Sequence, residues 1–86
     1  MINSHEHPVG WAQLVTELSD AHEHLGDLIR RMTADPGLDE PEFAVYLGHV
    51  VAHLNCAWYC RNHGDNLTDA EWESSRAYHK DLAPVV

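Results

Sequence analysis

The sequence predicts an all-α domain of three helices. Apolar residues recur at helical intervals through long segments, and glycine, proline and capping residues separate these segments. No segment alternates apolar and polar residues with the period of two that a half-buried strand requires. We expect helices near residues 8–34, 40–63 and 68–82, in a chain of 86 residues that forms one domain, residues 1–86.

The first predicted helix carries a heptad pattern. Its apolar residues are spaced 3-4-3-4-3-4, as follows: Trp11, Leu14, Leu18, Ala21, Leu25, Leu28 and Met32. Such a seam is typical of a helix that packs along its length against another helix. Pro8 suits the first helical turn, and the sequence DPG at residues 35–37 ends the helix.

The second and third predicted helices begin with capping residues. Asp39 is expected to cap the second helix, with Glu42 three residues later, and Thr68 and Glu71 repeat this arrangement for the third. The second helix is expected to end before Gly64, because glycine is common just past a helix end. The two short connections favour antiparallel neighbours.

The composition excludes several classes of function. Fourteen acidic residues against five basic ones give a net charge of −9, and the basic residues form no cluster. This charge excludes nucleic acid and anionic membrane surfaces as partners. No apolar run approaches the roughly 20 residues of a membrane span, and MINSHEHPVG does not have the pattern of a signal peptide. We therefore expect a soluble cytoplasmic protein.

A homodimer is the expected assembly. A domain of this size buries only about 60–65% of the surface that its unfolded chain exposes. The first helix is also longer than the third can cover, which leaves apolar residues such as Trp11, Leu14 and Ile29 for another chain. A second copy of the chain is expected to complete the core.

One segment of the second helix, HVVAHLNCAWYCRNH at residues 49–63, concentrates metal-binding side chains. At about 100° per residue, a single stripe contains His49, His53, Cys56, Cys60 and His63. The stripe rises about 21 Å, so one ion cannot contact all five residues. His49 and His53, one turn apart, form the best half-site for a transition metal such as zinc.

Antiparallel packing brings further histidines to this pair. Pairing with the first helix places His49 between His22 and His24, and pairing with the third helix places His79 between His49 and His53. The resulting histidine layer has two interpretations. It is either a metal site or a set of structural histidines satisfied by hydrogen bonds. Neither an HExxH nor an ExxH motif accompanies it.

The two cysteines are predicted to be buried free thiols. Cys56 and Cys60 lie one helical turn apart, which separates their Cβ atoms by about 5–6 Å, whereas a disulfide needs about 3.5–4.5 Å. A catalytic thiol, with His53 or His63 as its base, is the alternative. It would need a lowered pKa and an oxyanion donor, and the C-terminal half of a helix opposes a thiolate.

Two other sides of the second helix complete the prediction. An apolar side is predicted to be core and consists of Phe43, Leu47, Val50, Val51, Leu54 and Trp58. Asn55, Tyr59 and Asn62 fall together on a polar side, which is either an ordinary solvated surface or a surface for a small ligand or partner.

The preferred interpretation is a small helical binding or interaction module, without enzymatic activity, that associates with itself. The alternative is a metal-binding helical bundle that uses the histidine layer as ligands, with hydrolysis as its candidate reaction.

Overall fold

The computed structural model describes residues 1–64, 67–77 and 81–85. These residues form three helices, α1 (Pro8–Ala34), α2 (Glu40–Cys60) and α3 (Asp69–Ser75), and contain no strand. The all-α class and the number of helices are therefore confirmed, and α1 has the predicted bounds. In the described part of the chain, no helix combines the length and the apolarity needed to cross a membrane.

The second and third helices are shorter than predicted. After α2, the backbone tightens, because the amide of Arg61 donates to the carbonyl of Trp58 and the amide of His63 donates to that of Cys60. The helix therefore ends at Cys60 rather than at residue 63. At the end of α3, the Ser75 hydroxyl donates to a carbonyl of its own helix, 2.6 Å away. Serine side chains compete with the helical backbone in this way, and residues 76, 77, 81 and 82 are not helical.

The two capping predictions are confirmed. The Asp39 carboxylate accepts a hydrogen bond of 2.9 Å from the amide of Glu42. At α3 the capping box is complete, since Thr68 accepts from the amide of Glu71 and the Glu71 carboxylate accepts from the amide of Thr68. These bonds satisfy backbone donors that have no partner inside the helix.

An antiparallel hairpin of α1 and α2 forms the body of the fold, and α3 packs against α2. Only one row of the α1 heptad seam is buried, namely Leu14, Ala21 and Leu28. Leu14 packs with the buried Ala57 of α2, and Val50 of α2 is also buried. The core is therefore a narrow line of small and medium side chains between two helices.

The segment before α1 closes the open end of the hairpin. Ile2 is buried, and its amide donates to the carbonyl of Arg61 over 2.8 Å. The terminal ammonium of Met1 donates to the side chain of Asn62. Gly10 approaches the segment after α2 so closely that an added Cβ would lie 2.9 Å from the carbonyl oxygen of Gly64.

The other side of the hairpin leaves apolar side chains exposed to 36–58%. We call this surface the apolar face; it consists of Trp11, Val15, Leu18, Leu25, Ile29, Met32, Leu47, Val51 and Leu54. The prediction that the apolar side of α2 is core is therefore wrong for three of its six members, Leu47, Val51 and Leu54, whereas Val50 is buried and Phe43 and Trp58 are half-buried. The prediction that Leu14 stays exposed is also wrong, whereas Trp11 and Ile29 are exposed as expected. The reason is that α3 is short and packs on the opposite flank, beside Cys56.

Candidate metal site

Three histidines from α1 and α2 form a cluster beside a buried carboxylate. We call His24, His49 and His53 the imidazole cluster; one ring nitrogen of each lies within 4.8 Å of the other two. The ring centroids of His24 and His49 are 4.0 Å apart, and that of His53 is 5.1–5.2 Å from both. The ring planes are nearly parallel, with angles of 13–25°.

The register of the hairpin explains which histidines meet. His49 and His53 follow each other by one turn on α2, and the antiparallel pairing brings His24 level with them. His22 lies two residues from His24, which is about 200° around the helix. It is exposed and does not belong to the cluster. Of the five histidines in the predicted layer, the structure brings three together, and His79 lies outside the described residues.

Glu17 is the site residue that the sequence reasoning missed. It is only 4% exposed, and its Oε2 lies 2.7 Å from Nδ1 of His53. The side-chain amide of Gln13 donates to its other oxygen over 3.5 Å. A signal was present in the sequence, because Glu17 precedes His24 by seven residues and therefore shares its side of α1.

The contact with Glu17 determines how His53 uses its two ring nitrogens. A carboxylate only accepts hydrogen bonds, so Nδ1 of His53 donates to Glu17 and Nε2 of the neutral ring carries the lone pair. This Nε2 atom is buried and has no hydrogen-bond partner among the residues that the structure describes. Leaving such an atom unsatisfied costs about 1–3 kcal/mol. A metal ion would satisfy it, in the carboxylate–histidine–metal arrangement that is common in metalloproteins.

The surroundings of His49 favour its neutral imidazole. Partial desolvation lowers the pKa of His49, and the positive charges of His24, His53 and Arg76 lower it further, against the opposing charge of Asp20. Metal binding requires the neutral ring, because a proton and a metal ion compete for the same lone pair. The surroundings of His49 therefore disfavour the protonated ring that would exclude a metal.

A cavity of about 370 Å³ lies beside the cluster, between the three helices. His49 and His53 contribute to its wall. The other residues that line it are Gln13, Thr16, Glu17, Asp20, Ala52, Cys56, Trp72 and Arg76. The site is therefore open to a small molecule on one side and closed by packed helices on the other.

The remaining members of the stripe do not join the cluster. Cys56 lies 3.2 Å from the Ser75 hydroxyl, and Cys60 is buried in the core, both as free thiols. Burial raises the pKa of the Cys60 thiol, and the neighbouring Cys56 raises it further. His63 contacts the Glu71 carboxylate at 2.7 Å. The raised pKa opposes the thiolate that a catalytic role for Cys60 would need.

The polar side chains at Asn55, Tyr59 and Asn62 make three separate contacts. Asn55 donates to the carbonyl of Arg76 over 3.5 Å, and the Tyr59 ring stacks on His63 with centroids 4.8 Å apart. Asn62 accepts from the terminal ammonium. Each of them attaches a neighbouring part of the chain to the end of α2.

Comparison with known proteins adds no further assignment: no family model, curated protein or solved structure matches this chain.

Proposed function

We propose that the imidazole cluster binds one divalent transition metal ion, with His24, His49 and His53 as its ligands. The observation that carries this proposal is the buried Nε2 of His53, which has no hydrogen-bond partner within the described part of the chain and is held in the ligating tautomer by Glu17. Two more imidazoles stack beside this ring. Three protein ligands with a further open position are typical of zinc sites that exchange a ligand.

Metal binding requires a modest rearrangement of two rings. Zinc–nitrogen distances of about 2.0–2.1 Å imply ligand nitrogens roughly 3.3–3.5 Å apart, and the cluster has them within 4.8 Å. His53 is fixed by Glu17, whereas His49 is exposed and His24 is half-buried. Rotation of His24 and His49 toward His53 therefore completes the site. Imidazole ligands suit zinc, copper, nickel and iron ions.

The test is metal binding by the untagged chain, freed of metal with a chelator. Zn²⁺ affinity is measured by competition with a chromophoric chelator at pH 7.5, and stoichiometry by native mass spectrometry. His53→Gln and His24→Gln should each weaken binding by more than about 100-fold, the upper range for loss of a second-shell partner. His22→Gln is the matched control, because His22 is an exposed histidine of α1 outside the cluster. It should bind as wild type does.

Two outcomes would contradict the metal site. One is wild-type protein that binds no ion at micromolar Zn²⁺. The other is an equal loss of affinity in the control variant and in His53→Gln, which would assign the ion to scattered surface histidines.

We further propose that the chain forms a homodimer through the apolar face. The exposed fractions of its nine side chains correspond to roughly 700 Å² of apolar surface per chain, close to the roughly 800 Å² that each partner buries in a standard interface. A typical monomer exposes no apolar patch larger than about 300–600 Å². Burial of this surface against a second chain would therefore favour association.

A second hairpin is the partner that fits the pattern of this face. On α1 the exposed residues follow heptad spacing, with the side chains at 11, 18, 25 and 32 in one row. Two such hairpins pack as a four-helix bundle, in which each heptad row inserts between the rows of the facing helices. His22 is the only polar residue on this side of α1 between Trp11 and Met32.

Sedimentation equilibrium between 1 and 100 µM tests the dimer. Wild type should have twice the chain mass of 9.7 kDa. Leu18→Glu should dissociate it, because a carboxylate would be buried without a partner. Val45→Glu is the matched control, since Val45 is a 72% exposed apolar residue of α2 outside the face. A monomeric wild type at 100 µM, or dissociation by the control as well, would contradict the proposal.

We propose that the protein is cytoplasmic, on the basis of its cysteines. Both are free and buried, and free thiols persist in reducing compartments.

A further inference from the structure

The cavity beside the imidazole cluster gives the bound metal an exchangeable position. Three imidazoles occupy three positions of a four-coordinate ion. Because His49 and His53 both line the cavity of about 370 Å³, an ion held between them faces that space. This volume lies near the lower end of small-molecule sites, which span about 300–1,000 Å³.

The charges around the cavity depend on whether the metal is present. Among the described residues that line it, Arg76 is the only cation with a permanent charge, and Glu17 and Asp20 are the carboxylates. The metal-free site therefore has an excess of negative charge and repels anions. A divalent ion reverses this balance and leaves a net positive charge in a partly closed space.

Arg76 is positioned to bind a ligand of the metal. Its guanidinium lies 5.5 Å from the centre of the Trp72 ring, and Trp72 lines the same cavity. Its positive charge acts on His49, one of the three metal ligands. A guanidinium pairs with planar or tetrahedral oxyanions through two parallel hydrogen bonds, and Gln13 and Thr16 offer further donors from the wall of the cavity.

We propose that the metal-loaded site binds a small oxyanion, with one oxygen on the metal and another on Arg76. This inference rests on the proposed metal site and deepens it by naming the class of ligand. The volume of the cavity suits a small carboxylate or a phosphate group. Because only the loaded site is positive, the metal must bind first, and the anion must in turn strengthen metal binding.

The experiment uses the Co²⁺-loaded full-length chain, whose visible absorption reports the ligands of the ion. Acetate and, separately, inorganic phosphate are titrated at constant ionic strength set with perchlorate. Each should change the Co²⁺ spectrum saturably and lower the Co²⁺ dissociation constant. Arg76→Gln should weaken the response to the anions by about tenfold or more while Co²⁺ still binds, because Arg76 is not a metal ligand.

Arg30→Gln is the matched control for the loss of one positive charge. Arg30 lies on α1, is exposed and pairs with Asp27, so this variant should respond to anions as wild type does. A Co²⁺ spectrum that changes with neither anion, or an equal spectral response in Arg76→Gln and wild type, overturns the oxyanion site alone. Failure of the wild type to bind Co²⁺ overturns the proposed metal site and the oxyanion site together.

Discussion

Two glycines in two helices should respond to the same substitution with opposite signs. At Gly10, an added Cβ would lie 2.9 Å from the carbonyl oxygen of Gly64 and 3.0 Å from the Cδ1 of Ile2. At Gly48, in the interior of α2, an added Cβ has no atom of residues 1–64, 67–77 or 81–85 to contact within 4 Å beyond its own helical neighbours. Neither position has the positive φ that would favour glycine. The comparison therefore isolates packing from backbone conformation.

The magnitudes follow from two opposing terms. Alanine is about 1 kcal/mol more favourable than glycine in a helix interior, so Gly48→Ala should stabilise the protein by about that amount. At Gly10 this gain is smaller, because the residue lies in the first turn of α1. Overpacking against a backbone carbonyl costs about 1–3 kcal/mol, so Gly10→Ala should destabilise by about 1–2 kcal/mol.

Thermal denaturation followed by circular dichroism measures both effects at one protein concentration. In a domain of this size 1 kcal/mol shifts Tm by about 4–8 °C. Gly48→Ala should therefore melt about 4–8 °C above wild type, and Gly10→Ala at least about 4 °C below it. A Gly10→Ala variant as stable as wild type would refute the close packing of the segment after α2 on the start of α1.

Three further predictions concern single side chains. Glu17→Gln should lower Zn²⁺ affinity by about 10–100-fold, the usual effect of removing a carboxylate behind a histidine ligand; unchanged affinity in a competition titration would exclude this role. Burial raises the pKa of the Cys60 thiol, so in a Cys56→Ala background this thiol should react with a disulfide reagent at pH 8 at least about tenfold more slowly in native protein than in urea. Because the pKa of this thiol is higher in the folded than in the unfolded chain, it contributes stability below the unfolded value of about 8.5. This contribution is lost as pH rises through the folded value. A Cys60→Ala variant should therefore lose less stability than wild type between pH 8 and pH 10. Thr68→Ala should cost about 0.5–2 kcal/mol at pH 7. Hydrogen bonds from Thr68 lower the pKa of Glu71. Their contribution to the stability of the fold is therefore present above the unfolded value of about 4.3 and disappears as pH falls through the folded value. Thermal denaturation at pH 7 and pH 3 that shows the same stability difference between the variant and wild type would contradict this.

The fold was predictable where local chemistry determines it. Pro8 at the start of α1 and the DPG sequence after it set the bounds of that helix, and the side chains of Asp39 and Thr68 set the starts of the other two. Helix ends were less predictable, because they depend on competing hydrogen bonds. The Ser75 hydroxyl donates a hydrogen bond to a backbone carbonyl of α3, and no spacing pattern in the sequence indicates this bond.

The candidate site was predictable in part, for geometric reasons. Antiparallel register requires His49 to lie near residue 23 of α1, which left His22 and His24 equivalent. The side of α1 that faces the cluster distinguishes them, and this side depends on how the hairpin packs. Glu17 was missed because its role depends on a contact between two helices, and His53 follows Glu17 by 36 positions in the sequence. Its position seven residues before His24 places both on one side, but only the fold shows that this side is buried.

The two proposed interactions occupy opposite flanks of the same hairpin, and this has a consequence for how they relate. On α1, Glu17 and His24 lie on one side of the buried row of Leu14, Ala21 and Leu28, and Leu18 and Ile29 lie on the other. A second hairpin on the apolar face therefore covers neither the imidazole cluster nor its cavity. Dimerisation and metal binding should be thermodynamically independent to a first approximation, because neither contributes a residue to the other. Zn²⁺ affinity should accordingly be the same for wild type and for the Leu18→Glu monomer, provided that the monomer keeps its helical structure. A large loss of affinity in a folded monomer would show that the α1–α2 register, and with it the meeting of His24 and His53, depends on the second chain.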